Sequence, residues 1–395
     1  MKILITNQHL VHYAGTELYV YTLAGELQKQ GHEVVVFSPL LGEAAARIRE
    51  AGIRVVDDLQ EISSERFDVI HGHHRRPTLL AFSFFPFTPL VYVTHGFLPR
   101  VLPFEGPPEP PVVVEKFVAV SDVVKANLAQ NFGILEGDIQ VVVNSVDVER
   151  FKPQGEIGQK VRRVLLISSN KNKAQKELVE QACSRLRLNL EIIGWGKRVW
   201  NVEDYINEAD SVVSLGRGAI EGLACGRAVV VCGGKGCDGM ITEENIDDLW
   251  KTNFIGRRYG RRATVETLID EFQKYDPGMQ RVNRRLALER FDAQRQAHKL
   301  VEIYQKAIEN SSRKDADLTP SEKMGLYQSY LIDLAKQSKE TEVGVLREEF
   351  ARLQEEVVAL RDLVKRYEQG RFIRTMAALH RLAHGFEKLV RARRI

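Results

Sequence analysis

Ala209-Asp210-Ser211-Val212-Val213-Ser214-Leu215-Gly216-Arg217-Gly218-Ala219-Ile220-Glu221-Gly222-Leu223-Ala224-Cys225-Gly226-Arg227-Ala228-Val229-Val230-Val231 reads as strand, glycine turn, helix, turn and strand. Val212 and Val213 are apolar enough for a buried strand, and Gly216 and Gly218 let a backbone approach a ligand closely. A helix beginning near Ala219 turns its first N–H groups back toward that turn, so with Arg217 beside it the segment suits a phosphate. Glu221 is expected in the first turn, where the helix dipole favours a carboxylate whose oxygens fit ribose hydroxyls. An N-terminal charge on an ordinary helix is the plainer account of the same residue.

The same alternation extends in both directions. Short apolar runs at residues 2–6 and 33–37 flank an amphipathic helix at about 15–30, and further runs follow at Val69-Ile70, Val91-Tyr92-Val93, Phe117-Val118-Ala119-Val120 and Gln140-Val141-Val142-Val143. Phe151-Lys152-Pro153-Gln154-Gly155 reads as a linker. The pattern resumes at Val164-Leu165-Leu166-Ile167, Leu190-Glu191-Ile192-Ile193, Ser211-Val212-Val213 and Ala228-Val229-Val230-Val231. Strands alternating with helices predict parallel sheets covered on both faces. The expected fold class is therefore α/β, with two doubly wound Rossmann-like domains facing a cleft, and with ligands at the carboxyl ends of the strands.

Composition narrows the function. The 395 residues, 44% of them hydrophobic, exceed one ordinary core. Net charge is +3, yet residues 371–395 hold seven Lys or Arg and one Glu, so the body is slightly acidic and nucleic acid is not an expected partner. Cys183, Cys225, Cys232 and Cys237 lack zinc spacing and fit a reduced, cytoplasmic setting. Met1-Lys2-Ile3-Leu4-Ile5-Thr6 enters a strand directly, without the pattern of an export signal. Leu79 to Val93 is too short and too interrupted for a membrane span and reads as a core helix followed by a buried strand.

Six segments in order resemble one family: Ala14-Gly15-Thr16-Glu17, Gly31-His32-Glu33-Val34, Thr94-His95-Gly96, Val120-Ser121, Asn144-Ser145-Val146-Asp147-Val148-Glu149-Arg150-Phe151-Lys152-Pro153, and the Glu221 tract. Over residues 1–308 the chain resembles the GT-B glycosyltransferases, and among them the retaining family 4. The resemblance implies an acceptor-side domain at 1–150 and a nucleotide-sugar domain at 151–308, closed by a helix at about 283–308. It implies a nucleotide-diphosphate sugar as donor, a glycan or lipid-linked acceptor, transfer with retention, and no metal or other cofactor.

Residue by residue, the resemblance places Gly15 and Thr16 in the glycine turn near the diphosphate and His95 against the donor sugar. Ser169, Asn170, Lys171 and Lys173 follow the strand where the family's basic diphosphate ligands occur. Gly216, Arg217, Gly218 and Glu221 complete the donor site, with His95, Lys173 and Glu221 as the catalytic set. Gly233-Gly234-Lys235-Gly236-Cys237-Asp238-Gly239 resembles the family's glycine loop, and Trp195 and Trp200 flank the region of the base, where Trp200 could stack. The histidines in Asp68-Val69-Ile70-His71-Gly72-His73-His74 are of a metal-binding type, but the resemblance implies none there. One departure stands out: the family commonly carries a second glutamate eight positions before the one matched by Glu221, and Val213 occupies that place. Asn144 is also followed by Ser145 where glycine is usual. A catalytically inactive binding or scaffold subunit of the same fold is the alternative these departures leave open.

A polar linker at 309–320 is expected after the second domain, then a helical region at 321–369. Leu346, Phe350, Leu353, Val357, Leu360, Val364 and Tyr367 step by four and three, the seam of a coiled coil, which predicts self-association through residues 346–367. Residues 370–395 form a basic amphipathic pattern. Phe372 and Phe386 belong to its apolar side, and Arg374, Arg381, Lys388 and Arg391 to its cationic one. Such a helix fits the inner face of an anionic membrane, with a partner protein as the rival occupant.

Overall fold

The structure is a computed structural model that describes residues 1–96, 106–108, 114–168, 172–194, 197 and 199–314. The chain divides into two units, Met1–Gln328 and Ser329–Ile395. The expected coiled-coil seam and the basic helix with Phe372, Arg374, Arg381, Phe386, Lys388 and Arg391 lie outside the described residues. Ser169, Asn170, Lys171 and Trp195 do too.

The first sheet is built from β1 (Lys2–Thr6), β2 (Glu33–Phe37), β3 (Arg54–Val56), β4 (Val69–His73), β5 (Leu90–Thr94), β6 (Lys116–Ala119) and β7 (Ile139–Val141). Its order is β3-β2-β1-β4-β5-β6-β7, and every pairing is parallel. Parallel strands covered on both faces need continuous apolar runs, and β1, β4 and β5 are buried almost throughout. Between them run α1 (Gly15–Lys29), α2 (Glu43–Glu50), α3 (Arg75–Phe84) and α4 (Asp122–Phe132). Val20, Leu23, Ala24 and Leu27 form the buried stripe of α1 at helical spacing. Ser121 caps α4, its hydroxyl accepting from Val124 N–H at 3.4 Å, and Gly133 closes it at φ +68°.

The second sheet comprises β8 (Arg163–Ile167), β9 (Asn189–Ile193), β10 (Ser211–Ser214), β11 (Ala228–Cys232) and β12 (Cys237–Met240) in the order β12-β11-β10-β8-β9, parallel except for β12. Its helices are α5 (Lys173–Leu186), α6 (Val202–Glu208), α7 (Arg217–Ala224), α8 (Ile246–Lys251), α9 (Val265–Gln273) and α10 (Met279–Arg290). Val213 sits inside β10 between Leu166 and Val230 with no exposed surface. A carboxylate at that position would enter the sheet core rather than a ligand site.

Several expectations need correction. The closing helix expected at 283–308 is two helices, α10 and then α11 (Ala293–Lys314), separated at Phe291 and Asp292. Leu300, Ile303, Tyr304 and Ala307 of α11 lie in the hydrophobic core of the first sheet, so the chain crosses back after completing the second. Residues 309–314, the first part of the expected linker at 309–320, continue α11. At the other crossing, Val146, Val148 and Phe151 already belong to the second core, and Gly155 O accepts from Arg227 and Gln280, so Phe151–Gly155 is packed rather than a loose connection. Half of the expected glycine loop at 233–239 is strand β12, held by antiparallel pairing and by Met240 N–H donating to Glu271 at 2.8 Å. No helix among the described residues is long and apolar enough to cross a membrane.

Candidate functional site

The strand order reverses between β1 and β4 in one sheet and between β8 and β10 in the other. Crevices open beyond the carboxyl ends of strands at such points. In the second sheet the loops after β8, β10 and β11 meet there. Gln175 on α5 ties two of them: its Oε1 accepts from Ser168 Oγ at 2.6 Å and from Asn172 Nδ2 at 2.9 Å, while its Nε2 donates to Cys232 O at 2.6 Å. Gly234 lies so close to Asn172 and Ala174 that a Cβ there would stand 2.6 Å from the Asn172 Oδ1. The start of α5 and the glycine segment are thus brought together, as a shared donor site requires. Lys173 opens α5 with a largely exposed side chain that pairs with Glu177 at 3.6 Å.

The turn after β10 differs from the expected geometry. α7 starts at Arg217, not near Ala219, so Glu221 stands in the second turn rather than the first. Gly216 adopts φ +55°, and its N–H is already given to Phe254 O at 3.1 Å. Gly218 is required for packing: a Cβ there would stand 2.3 Å from Ser214 Oγ. Gly216 is therefore the conformational hinge of the turn, and Gly218 its close contact with β10.

Arg217 makes the most connections in the site. Its Nε donates to Glu221 Oε1 at 2.7 Å, one terminal nitrogen donates to Ser145 O at 3.3 Å, and the other to Thr22 Oγ1 on α1 at 3.1 Å. One guanidinium thus joins α7, the Asn144-Ser145 segment and the first domain. Glu221 is 3% exposed. Burial raises its pKa above the ordinary carboxylate range, and the adjoining Arg217 charge and hydrogen bond oppose that rise. Thr22 and Ser145 were not legible as partners, because the contact spans 195 residues of sequence in one case and 72 in the other.

On the first-domain side, Gly15 starts α1 after the extended cap residue Ala14, and a Cβ at Gly15 would meet nothing within 4 Å. The space beside Gly15 at that helix end is thus free of other side chains. Thr16 Oγ1 donates to Glu17 Oε2 at 2.9 Å, and Glu17 Oε1 pairs with His9 Nδ1 at 2.9 Å. His95 follows β5. Its Nε2 meets His73 Nδ1 at 2.9 Å, the Asn144 side chain hydrogen-bonds it, and Tyr19 packs edge-on at 4.5 Å between ring centroids. Asn144 Nδ2 in turn donates to Asn253 Oδ1 at 2.9 Å. Desolvation, reinforced by nearby positive groups, holds the pKa of His95 well below its ordinary value, so the ring is neutral.

Trp200 is placed differently from the expected base-stacking role. Its ring packs at 5.0 Å from Tyr13 and 4.9 Å from Tyr21, centroid to centroid. Arg150 lies over it at 4.3 Å, while also donating to Glu203 Oε2 at 2.9 Å. The ring faces used by these neighbours belong to a clasp between the two sheets' domains, in which aromatic and cationic surfaces cover one another.

A family model described as Glycosyltransferase Family 4 matches residues 13–150, which contain Gly15, Thr16, His95 and Asn144. Among solved structures, a glycosyltransferase from Rickettsia africae is similar over 78% of this chain and 99% of its own, at 16% identity and a TM-score of 0.59. Anabaena HepE, determined in complex with UDP and glucose, is similar over 77% of this chain and 99% of its own, at 15% identity and a TM-score of 0.57. AviGT4, a glycosyltransferase involved in avilamycin A biosynthesis, is similar over 78% of this chain and 98% of its own, at 16% identity and a TM-score of 0.51. A search of curated proteins finds no match. The fold is α/β, with parallel sheets matching those of the GT-B glycosyltransferases. Residues 13–150 thus match a glycosyltransferase family 4 domain, and these neighbours of similar fold are themselves glycosyltransferases.

Proposed function

We propose that this chain transfers a sugar, with retention, from a nucleotide-diphosphate donor to a glycan or lipid-linked acceptor. The observation that carries the reading is the convergence of Arg217, Glu221, Ser145 and Thr22 beyond the end of β10, next to a family 4 match in the other domain. In such a reaction the bond from the anomeric carbon to the diphosphate oxygen breaks, and fixed positive charge must stabilise the departing diphosphate. Arg217 supplies that charge from a preorganised position, and the helix starts at Gly15 and Lys173 supply N–H groups and a further cation. Glu221 serves both to orient Arg217 and to accept hydrogen bonds from donor hydroxyls. His95, neutral, is suited to hydrogen-bond a sugar hydroxyl. The fixed dipoles and charges act more strongly as the domains exclude water.

The basic pattern at 371–395 agrees with an acceptor at the inner membrane face, and the seam at 346–367 with an oligomer that joins two or more such units. The inactive scaffold keeps one specific observation in its favour, the core valine at 213 in place of a family glutamate. Release of nucleoside diphosphate from UDP-, GDP-, CDP- and ADP-sugars, with polysaccharide and lipid-linked acceptor fractions, tests the reading. One donor is expected to turn over in an acceptor-dependent way, giving a product whose anomeric configuration matches the donor's. Acceptor-independent hydrolysis alone, or no turnover with any donor, would overturn it.

A further inference from the structure

Three histidines and a tyrosine form a continuous hydrogen-bonded chain beneath the candidate site. Tyr304 Oη lies 2.5 Å from His71 Nδ1, His71 Nε2 lies 2.8 Å from His73 Nε2, and His73 Nδ1 lies 2.9 Å from His95 Nε2. The geometry has a local cause. Residues 71 and 73 are two apart on β4 and so face the same side of the sheet, and α11 crosses that face with Tyr304. Tyr304, His71 and His73 have no exposed surface. Every ring nitrogen along the chain up to His95 Nε2 is engaged within it.

Proton positions follow from counting donors. Among the described residues the one hydrogen-bond partner of the Tyr304 hydroxyl is His71 Nδ1. A fully buried phenol that accepted there would leave its own proton unsatisfied, so the O–H donates and His71 Nδ1 is bare. A neutral His71 then carries its proton on Nε2 and donates it to His73 Nε2. Two facing Nε2 atoms admit one proton between them, so His73 carries its own on Nδ1, where His95 Nε2 accepts it. His95 is left with a bare Nε2 and a proton on Nδ1, the nitrogen outside the chain.

We propose that Tyr304 is a positioning residue that, through His71 and His73, fixes His95 in its Nδ1–H tautomer, so that this ring presents a hydrogen-bond donor to an oxygen of the bound sugar. Both neighbouring rings are neutral: burial pushes the pKa of His71 down to about 3 and that of His73 well below the ordinary value. The reversed chain, with His95 donating inward from Nε2, would present a lone pair instead, able to accept from a sugar hydroxyl but not to donate to an oxygen of the sugar. The closing helix thereby sets a chemical property of the site without touching the ligand. This inference deepens the reading of His95 as a donor-sugar contact.

Long-range proton–nitrogen NMR of the full chain carrying nitrogen-15 histidine tests it without any ligand. The expected spectrum at pH 7.5 shows His95 and His73 as Nδ1–H and His71 as Nε2–H, each as a single tautomer. In Tyr304→Phe the chain loses its polarising donor, and His71 and His95 are expected to show mixed tautomers, with kcat lowered more than donor KM is raised. His95 found as Nε2–H in the unaltered chain, or unchanged tautomers in the variant, would overturn the proposal. Because the spectrum needs no donor, its failure would leave the glycosyltransferase reading standing. A failed transfer assay would likewise leave the tautomer result intact.

Discussion

Arg217→Ala is expected to lower turnover about a hundredfold and to destabilise the fold by about 3–5 kcal/mol, the range found when one partner of a buried ion pair is removed. The stability loss follows from Glu221, now 3% exposed, which would lose its countercharge and the hydrogen bond it accepts from Arg217 Nε. The activity loss follows from the links to Ser145 O and Thr22 Oγ1, since the same side chain fixes the relation between α7 and α1 and supplies the cation for the leaving diphosphate. Glu221→Gln separates the two effects. An amide keeps the shape and still accepts from Arg217 while removing a charge whose pKa burial already raises, so the fold is expected to survive nearly unchanged. Turnover in Glu221→Gln should still fall at least tenfold. Urea unfolding and steady-state kinetics on the two variants check this, and full activity in both would remove the site assignment.

His71 and His73 alone are expected to lower stability by about 3 kcal/mol between pH 7.5 and pH 5.5, and His95 and His74, whose pKa values burial also lowers, add to that fall with the same sign. His71 and His73 are neutral in the folded chain, where desolvation holds the first to about 3 and the second well below its ordinary value. In the unfolded chain both return to about 6.5 and bind protons as the pH drops. The unfolded state therefore binds more protons throughout this window, and stability rises with pH, by about 1.4 kcal/mol for each histidine across it. Carboxylates held low by partners, such as Glu65 beside Lys2, act at still lower pH, so they do not obscure the effect. Denaturant midpoints at the two pH values measure the difference. A flat profile between them would mean that the histidine chain is not buried in solution.

The alternating strands were legible in the sequence because parallel, doubly covered strands must be apolar on both faces, as the Val229-Val230-Val231 run in β11 shows, whereas the strand order and its reversal points were not. β12 escaped notice because Cys237-Asp238-Gly239-Met240 carries no such run and is held by pairing with β11 and by Glu271. β3 has three residues, too few for a pattern. Glu221 and Arg217 were found from their place beside a glycine turn, but the helix start was set two residues late. Gly216-Arg217-Gly218 has little helical propensity, and only the packing of Gly218 on Ser214 allows α7 to begin there. What the sequence could not show were contacts between distant segments: Arg217 with Thr22, Trp200 with Tyr13 and Tyr21, and Tyr304 with His71 across 233 residues. Local periodicity carries no information about such pairs.

The most direct test of the central claim is thermal stabilisation by UDP-, GDP-, CDP- and ADP-sugars of the unaltered chain and of Arg217→Ala. A ligand that binds only the folded state at a hundred times its Kd contributes about 2.7 kcal/mol. The account predicts a clear rise in Tm with one nucleotide class and its loss in the variant. No rise with any nucleotide sugar, or an equal rise in Arg217→Ala, would contradict it.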